Sequence, residues 1–324
     1  MDKWIIFLIC FIACLGISML IYPLFINFLK SYNINQTVSE YSLEEFKKKN
    51  TTPIMGGIVF IVIPIVIFLA SDPSFYSSPT SNLIFVLLAF SIYCLIGFID
   101  DLAIILTKKN DGISPSLKLL LEFGTIIILY IVFRDSLHTT VTIPIIHKTI
   151  DFKYFYLPFI AFMYVAEVNA CNFTDGMDGL CAGVSAIGLI CFAVLASIKA
   201  EYHILLFISC ILGSLVAYLF FNFHPAKIFM GDSGSLALGS LFAGLAIALD
   251  AYGPLLLISF VFILEMVCVC IQQFVYRLFK KRVFSYTPIH YAFTIKGKKE
   301  TSVVIGFYIV AIISGILGVV IGLI

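Results

Sequence analysis

"NACNFTDGMDG", residues 169–179, decides how this chain must be built. Two carboxylates (Asp175, Asp178), two asparagines (Asn169, Asn172) and Thr174 crowd into one connection. A long apolar run lies on each side, near 154–171 and 179–199. Runs of that length cross a bilayer as helices, which need roughly 20 apolar residues. The quoted stretch therefore sits at a membrane surface, between two spans.

The same reading extends outward in both directions. Apolar runs recur near 4–29, 53–71, 82–99, 117–134, 154–171, 179–199, 203–221, 233–250, 254–279 and 301–323, which predicts ten spans. A mean hydropathy of +1.09 and only 12% charged residues exclude an ordinary soluble domain. The prediction is an all-α polytopic membrane protein forming a single integral membrane domain over 1–324. The first run is too long for a signal-peptide core and is expected to remain as a span. All nine cysteines fall in the apolar runs, seven of them well inside and Cys171 and Cys181 near the run ends, where a free thiol behaves as a small hydrophobe.

Lys and Arg set the orientation. Fifteen of the twenty fall in the odd-numbered connections, so these are expected in the cytoplasm and both termini outside. The fourth connection, "TTVTIPIIHKTIDFKYF", alternates and is β-branched. It predicts a small external hairpin between spans four and five.

The polar clusters share the cytoplasmic side. They are "NTTPIMGG" (50–57), "FIDD" (98–101), the opening stretch, "NFHPAKIFMGDSGS" (222–235) and "TPIHYAFTIKG" (287–297). Asp100, Asp101, Asp175, Asp178 and Asp232 thus meet one interface. Any one of them could be a helix cap. As a set among glycines they suit Mg²⁺, which takes one or two carboxylates plus substrate phosphates. Lys49, Lys108, Lys118 and Lys227 could neutralise phosphate oxygens, although the positive-inside bias explains each alone. Glu122, Glu167 and Glu265 lie inside apolar runs. They leave open an ion-coupled transporter with a proton relay, or hydrogen-bonded packing. A nucleic-acid partner is not expected.

Taken together and in this order, "TTPIMGG", "GFIDD", "NACNFTDGMDG", "NFHPAKIFMGDSGS" and "PIHYAFTIKG" resemble the polyprenyl-phosphate N-acetylhexosamine-1-phosphate transferases, and most of all their peptidoglycan branch. That resemblance implies transfer of phospho-MurNAc-pentapeptide from UDP-MurNAc-pentapeptide to undecaprenyl phosphate, giving lipid I and UMP. It implies Mg²⁺, a bacterial cytoplasmic membrane and a homodimer. By motif position, Asp100, Asp101 and Asp232 are expected to be catalytic, with Asp232 and Asp175 near the metal. Lys49, Lys108, Lys118, Asn169, Asn172, Asp175, Asp178, Asn222, Phe229, Gln272 and His290 are expected to bind substrate, Phe229 by stacking on uracil. The alternative is a sister enzyme transferring N-acetylglucosamine-1-phosphate. The sequence departs from the family in one place of consequence: three histidines commonly follow "PI", and here the run is His290-Tyr291-Ala292.

Overall fold

The computed structural model describes residues 3–35, 51–107 and 112–324. Lys49 and Lys108 lie outside the described residues. Helices α1 (Lys3–Ser31), α2 (Gly57–Ser71), α3 (Pro73–Ser77), α4 (Ser81–Thr107) and α5 (Pro115–Phe133) come first. A two-stranded hairpin follows, β1 (Thr140–Ile143) and β2 (Lys148–Asp151). Then come α6 (Tyr156–Thr174), α7 (Leu180–Ile198), α8 (Tyr202–Asn222), α9 (Gly231–Ala248), α10 (Tyr252–Ile258), α11 (Phe260–Phe279), α12 (Ile289–Ile295) and α13 (Glu300–Leu323). Among the described residues, nine helices are long and apolar enough to cross a membrane.

Two predicted spans differ from expectation. The second begins at Gly57 rather than at 53 and has 15 residues. At 1.5 Å per residue it reaches about 22 Å, short of a ~30 Å hydrocarbon core. Residues 53–56 are drawn away into a backbone pairing described below. The ninth breaks into α10 and α11 around Ser259, whose hydroxyl bonds the carbonyl of Leu255 (2.7 Å). The hairpin forms where the alternation placed it. It is antiparallel, with Thr140 opposite Asp151 and Ile143 opposite Lys148.

The bundle is built around α9, whose side chains are buried in 94% of its span. Its sequence, "GDSGSLALGSLFAGLAIA", is rich in Gly, Ser and Ala, and small residues let helix backbones approach closely. A Cβ on Gly239 would lie 2.5 Å from the Cα of Val168 in α6. A Cβ on Gly97 of α4 would lie 2.1 Å from the carbonyl oxygen of Asp232. Helices α4 and α6 thus press directly on α9. Outside this core α1 packs on α8, where Ser18 and Ser214 share a hydrogen bond (2.5 Å).

The two ends of the bundle differ. At one end the hairpin covers the helix ends, and Lys199 donates to the carbonyl of Leu249. The first and last described residues lie near this end. Lys3 lies over the Tyr202 ring, and Gly322 and Ile324 line the same hollow as Thr142 and Pro144. Asp72 is also here. It caps α3 through the Phe75 N–H (3.2 Å) and pairs with His203. Burial alone would raise its pKa, but the Ser74 hydroxyl and His203 hold it below the usual carboxylate value. The opposite end gathers all five predicted aspartates.

Candidate active site

The site begins with two distant motifs paired through their backbones. The N–H of Phe229 donates to the carbonyl of Pro53 (2.8 Å). Those of Gly56 and Gly57 donate to the carbonyls of Phe229 (2.8 Å) and Met230 (3.0 Å). No side chain fits at Gly57, where a Cβ would be 2.4 Å from the Cα of Gly234. This pairing aims "FMGD" at the centre of the bundle. Gly231 turns the chain at φ +73° and α9 starts.

The start of α9 is capped from another helix. Both carboxylate oxygens of Asp101, in α4, accept N–H groups of its first turn, from Asp232 (2.9 Å) and Ser233 (3.0 Å). Asp101 is 1% exposed. A helix N-terminus carries unsatisfied N–H groups and partial positive charge, and a buried carboxylate meets both needs.

The Asp232 side chain then points into a ring of partners. Lys118 donates to one carboxylate oxygen, and Asn172 Nδ2 donates to the other (2.8 Å) and to Ser235 Oγ (2.9 Å). Lys118 arrives because Ser114 and Pro115 start α5 there. The Ser114 hydroxyl accepts the Leu117 N–H (3.3 Å), with Pro at the first helical position. Asp100 lies beside Asp232 and accepts the Ile113 N–H (3.1 Å). One turn beyond Lys118, Glu122 accepts from Asn169 Nδ2 (2.7 Å). Asn169 and Asn172, three apart on α6, share a face, so both serve this cluster.

A second group forms around the turn 175–179. Asp178 is 3% exposed, and its carboxylate accepts from the Ala226 N–H (3.0 Å) and meets His224 Nδ1 (3.0 Å). Asn222 bridges the turn to the 224–228 loop, accepting the Gly179 N–H (2.9 Å) and donating to the Ile228 carbonyl (2.8 Å). Glu300 accepts the Asp178 N–H (2.8 Å). The imidazole of His290 is buried against Gly176, with Nδ1 3.1 Å from Glu265.

The predicted residues thus divide. Asp100, Asp101, Asp232, Lys118, Asn169 and Asn172 come together at the α9 start. Asp175, Asp178, Asn222 and His290 belong to the turn, with Asp175 half-buried as the C-cap of α6. Phe229 is half-buried beside Pro53. Gln272 serves the basic loop, where its amide oxygen accepts the N–H groups of Val283 and Phe284 (both 3.0 Å). Sequence reasoning missed His224 and Glu300. The "HP" step at 224–225 and an acid opening the last apolar run were their only signals. Glu265 is not a mid-membrane relay. Its carboxylate accepts the N–H groups of Ile289 (2.6 Å) and His290 (3.2 Å) and so caps α12.

The arrangement fits a divalent cation at Asp232. Two carboxylates, Asp100 and Asp232, adjoin at a polar helix start, a hard-oxygen donor set of the kind Mg²⁺ takes. Among the described residues, Asp178, His224 and Glu300 also bring three potential ligand atoms within 4.8 Å. At both places the oxygens also accept protein donors: Asp178 and Glu300 take backbone N–H groups, and Asp232 takes Lys118 and Asn172.

Comparison with known proteins gives the family. Residues 83–250, which run from α4 to just past α9, match glycosyl transferase family 4. The chain is 34% identical to the phospho-N-acetylmuramoyl-pentapeptide-transferase of Halalkalibacterium halodurans, over 97% of each chain. It is 38% identical to that of Staphylococcus saprophyticus, over 98% of this chain and 99% of the relative. It is 37% identical to that of Staphylococcus aureus, over 96% and 98%. By the family match over 83–250 and the near full-length identity to these relatives, the chain belongs to glycosyl transferase family 4, as a membrane transferase related along its whole length to phospho-N-acetylmuramoyl-pentapeptide-transferases.

Proposed function

We propose that this protein moves phospho-MurNAc-pentapeptide from UDP-MurNAc-pentapeptide to undecaprenyl phosphate, forming lipid I and UMP. The carrying observation is the convergence of Asp100, Asp232, Lys118 and Asn172 at the N-terminus of the most buried helix. Phosphoryl transfer needs positioning and neutralisation of charge more than covalent chemistry from the protein. Lys118 supplies a positive charge, and the Asp101 cap fixes where Asp232 stands.

An oxygen of the lipid phosphate attacks the β-phosphorus of the nucleotide sugar. The bond from that phosphorus to the UMP oxygen breaks, and UMP leaves. When the lipid phosphate enters as a monoanion, its proton passes to Asp100, which lies beside Asp232. Mg²⁺, held by Asp232 with Asp100 beside it, would neutralise phosphate oxygens. The turn carrying Asp175 and Asp178 lies on the nucleotide-sugar side, with Phe229 as the aromatic face for uracil. The Lys and Arg bias puts this end in the cytoplasm, and a homodimer is the expected assembly.

Three arms of one assay test the proposal. Purified protein receives undecaprenyl phosphate and Mg²⁺ with UDP-MurNAc-pentapeptide, with UDP-GlcNAc, or with neither, and UMP release is followed. Release from the pentapeptide substrate alone is expected. Release from UDP-GlcNAc alone would reassign the protein to the sister transferases, and release from neither would end the transfer reading.

A further inference from the structure

The backbone of the 175–179 turn is held by its own helix ends and Asn222, and at three further points by side chains from the last part of the chain. Tyr291 Oη donates to the carbonyl of Gly176 (2.9 Å), and Tyr308 Oη donates to the carbonyl of Gly179 (2.5 Å). Glu300 accepts the Asp178 N–H between them. Two carbonyls and one N–H of a five-residue turn are thus fixed from residues 291–308.

The glycines of the turn and of α7 make room for these groups. A Cβ on Gly176 would lie 2.7 Å from Tyr291 Oη and 2.3 Å from His290 Nε2. A Cβ on Gly183, one turn into α7, would lie 2.1 Å from Tyr308 Oη. Gly179 stands at φ +79°, a conformation open to glycine at little cost. The seat of Tyr308 is therefore cut by Gly183, and Gly176 leaves no gap between the turn and α12. Helix α12 is itself anchored, since Glu265 caps it. Burial pushes the Tyr291 phenol well above its ordinary pKa, so it remains a donor at any working pH.

We propose that Tyr291 and Tyr308 are positioning residues for the nucleotide-sugar substrate, acting through the carbonyls of Gly176 and Gly179 to set Asp175 and Asp178. The proposal rests on the transfer reading above for the identity of that substrate. It also gives the Tyr291 departure a task. Where a histidine is common, a longer phenol reaches the turn's backbone, so the last loop acts on the substrate through the turn.

The test uses the full-length protein with Tyr291→Phe, Tyr308→Phe and the double variant. Each removes one hydroxyl and keeps the ring. KM for UDP-MurNAc-pentapeptide is expected to rise about threefold to tenfold per hydroxyl, the effect of one neutral hydrogen bond. KM for undecaprenyl phosphate and kcat should stay near wild type. Amide hydrogen exchange at 176–180 should quicken while α9 stays protected, a pattern that separates a local clamp from general loosening. Unchanged KM for the nucleotide sugar in an active enzyme overturns the inference. So does an equal change in both KM values. If the wild-type protein releases no UMP, the transfer reading has failed. UMP affinity by calorimetry then decides the clamp: weaker binding in the double variant supports it, and equal binding overturns it.

Discussion

Replacing Asp101 by Asn separates the two neighbouring aspartates. The side chain keeps its shape, but one oxygen becomes an NH₂ group. In the structure both oxygens accept backbone N–H groups at the start of α9, so in the variant one donor faces another donor. The site has no room for an adjustment. Asp101 is 1% exposed, and a Cβ at Gly231 would already be 2.5 Å from Oδ2. An unsatisfied buried N–H costs about 1–3 kcal/mol, and losing the anion at a helix start costs up to about 2 kcal/mol. A total of about 2–4 kcal/mol should lower the melting temperature in detergent by roughly 4–16 °C, taking about 2–4 °C per kcal/mol for a large domain.

Asp100→Asn makes the contrast. Asp100 holds one backbone N–H and otherwise lies beside Asp232 and Lys118. Its loss should cut UMP release by about 10²–10⁴, the range for a positioned proton acceptor, with a melting temperature within a few degrees of wild type. The paired measurement is kcat for UMP release and thermal unfolding by size-exclusion recovery after heating. If Asp101→Asn kept the wild-type melting temperature while losing activity as completely as Asp100→Asn, the cap assignment would be wrong and Asp101 would belong to the chemistry.

Three further outcomes are expected. Gly97→Ala should abolish activity and weaken the fold, because its Cβ would meet the Asp232 carbonyl at 2.1 Å. Gly124→Ala, with nothing within 4 Å, should be neutral, and equal recovery of both variants from the membrane would contradict the close approach of α4 to α9. Chelation with EDTA should stop UMP release, and added Mg²⁺ should restore it; release unaffected by chelation would remove the cation from the proposal. Asp72→Asn should lower the melting temperature by about 2–4 °C at pH 7 for roughly 1 kcal/mol. The folded-state pKa of Asp72 is depressed, so its contribution is present above the ordinary carboxylate pKa and disappears as pH falls through the folded value. The gap between variant and wild type should therefore close in acid, and a gap constant down to pH 3 would refute the linkage.

The spans were legible because an apolar run of some twenty residues has few other uses. Exceptions arose where local chemistry competed. Residues 53–56 are apolar enough to extend α2, yet they pair with 229–230, and sequence does not reveal pairing between segments so far apart. The carboxylates were legible as a group at one interface, but their division of labour was not. Asp100 and Asp101 are neighbours in sequence, and on a helix they point about 100° apart. One therefore faces Asp232 and the other lies beneath the α9 start. Glu265 read as an intramembrane acid because the chain after α11 gives no sign of folding back on it. Only the folded loop places Ile289 and His290 over its carboxylate.

Asp232 stands where two requirements of a membrane phosphotransferase meet. Phosphate chemistry calls for concentrated positive potential, which a helix start provides through free N–H groups. That potential is strongest where water is excluded, and α9 is the most thoroughly buried span in the bundle. Left alone, such a helix start would carry unmet donors deep in protein. Asp101 satisfies two of them, those of Asp232 and Ser233, from α4, and Gly97 allows α4 close enough to do so. The arrangement leaves Asp232 held by Lys118 and Asn172 at the open side of the same helix end, where a phosphate could approach. Small residues along α9 are thus more than packing filler. They allow the neighbouring helices to bring a carboxylate, an amide and a lysine to one point from three different spans.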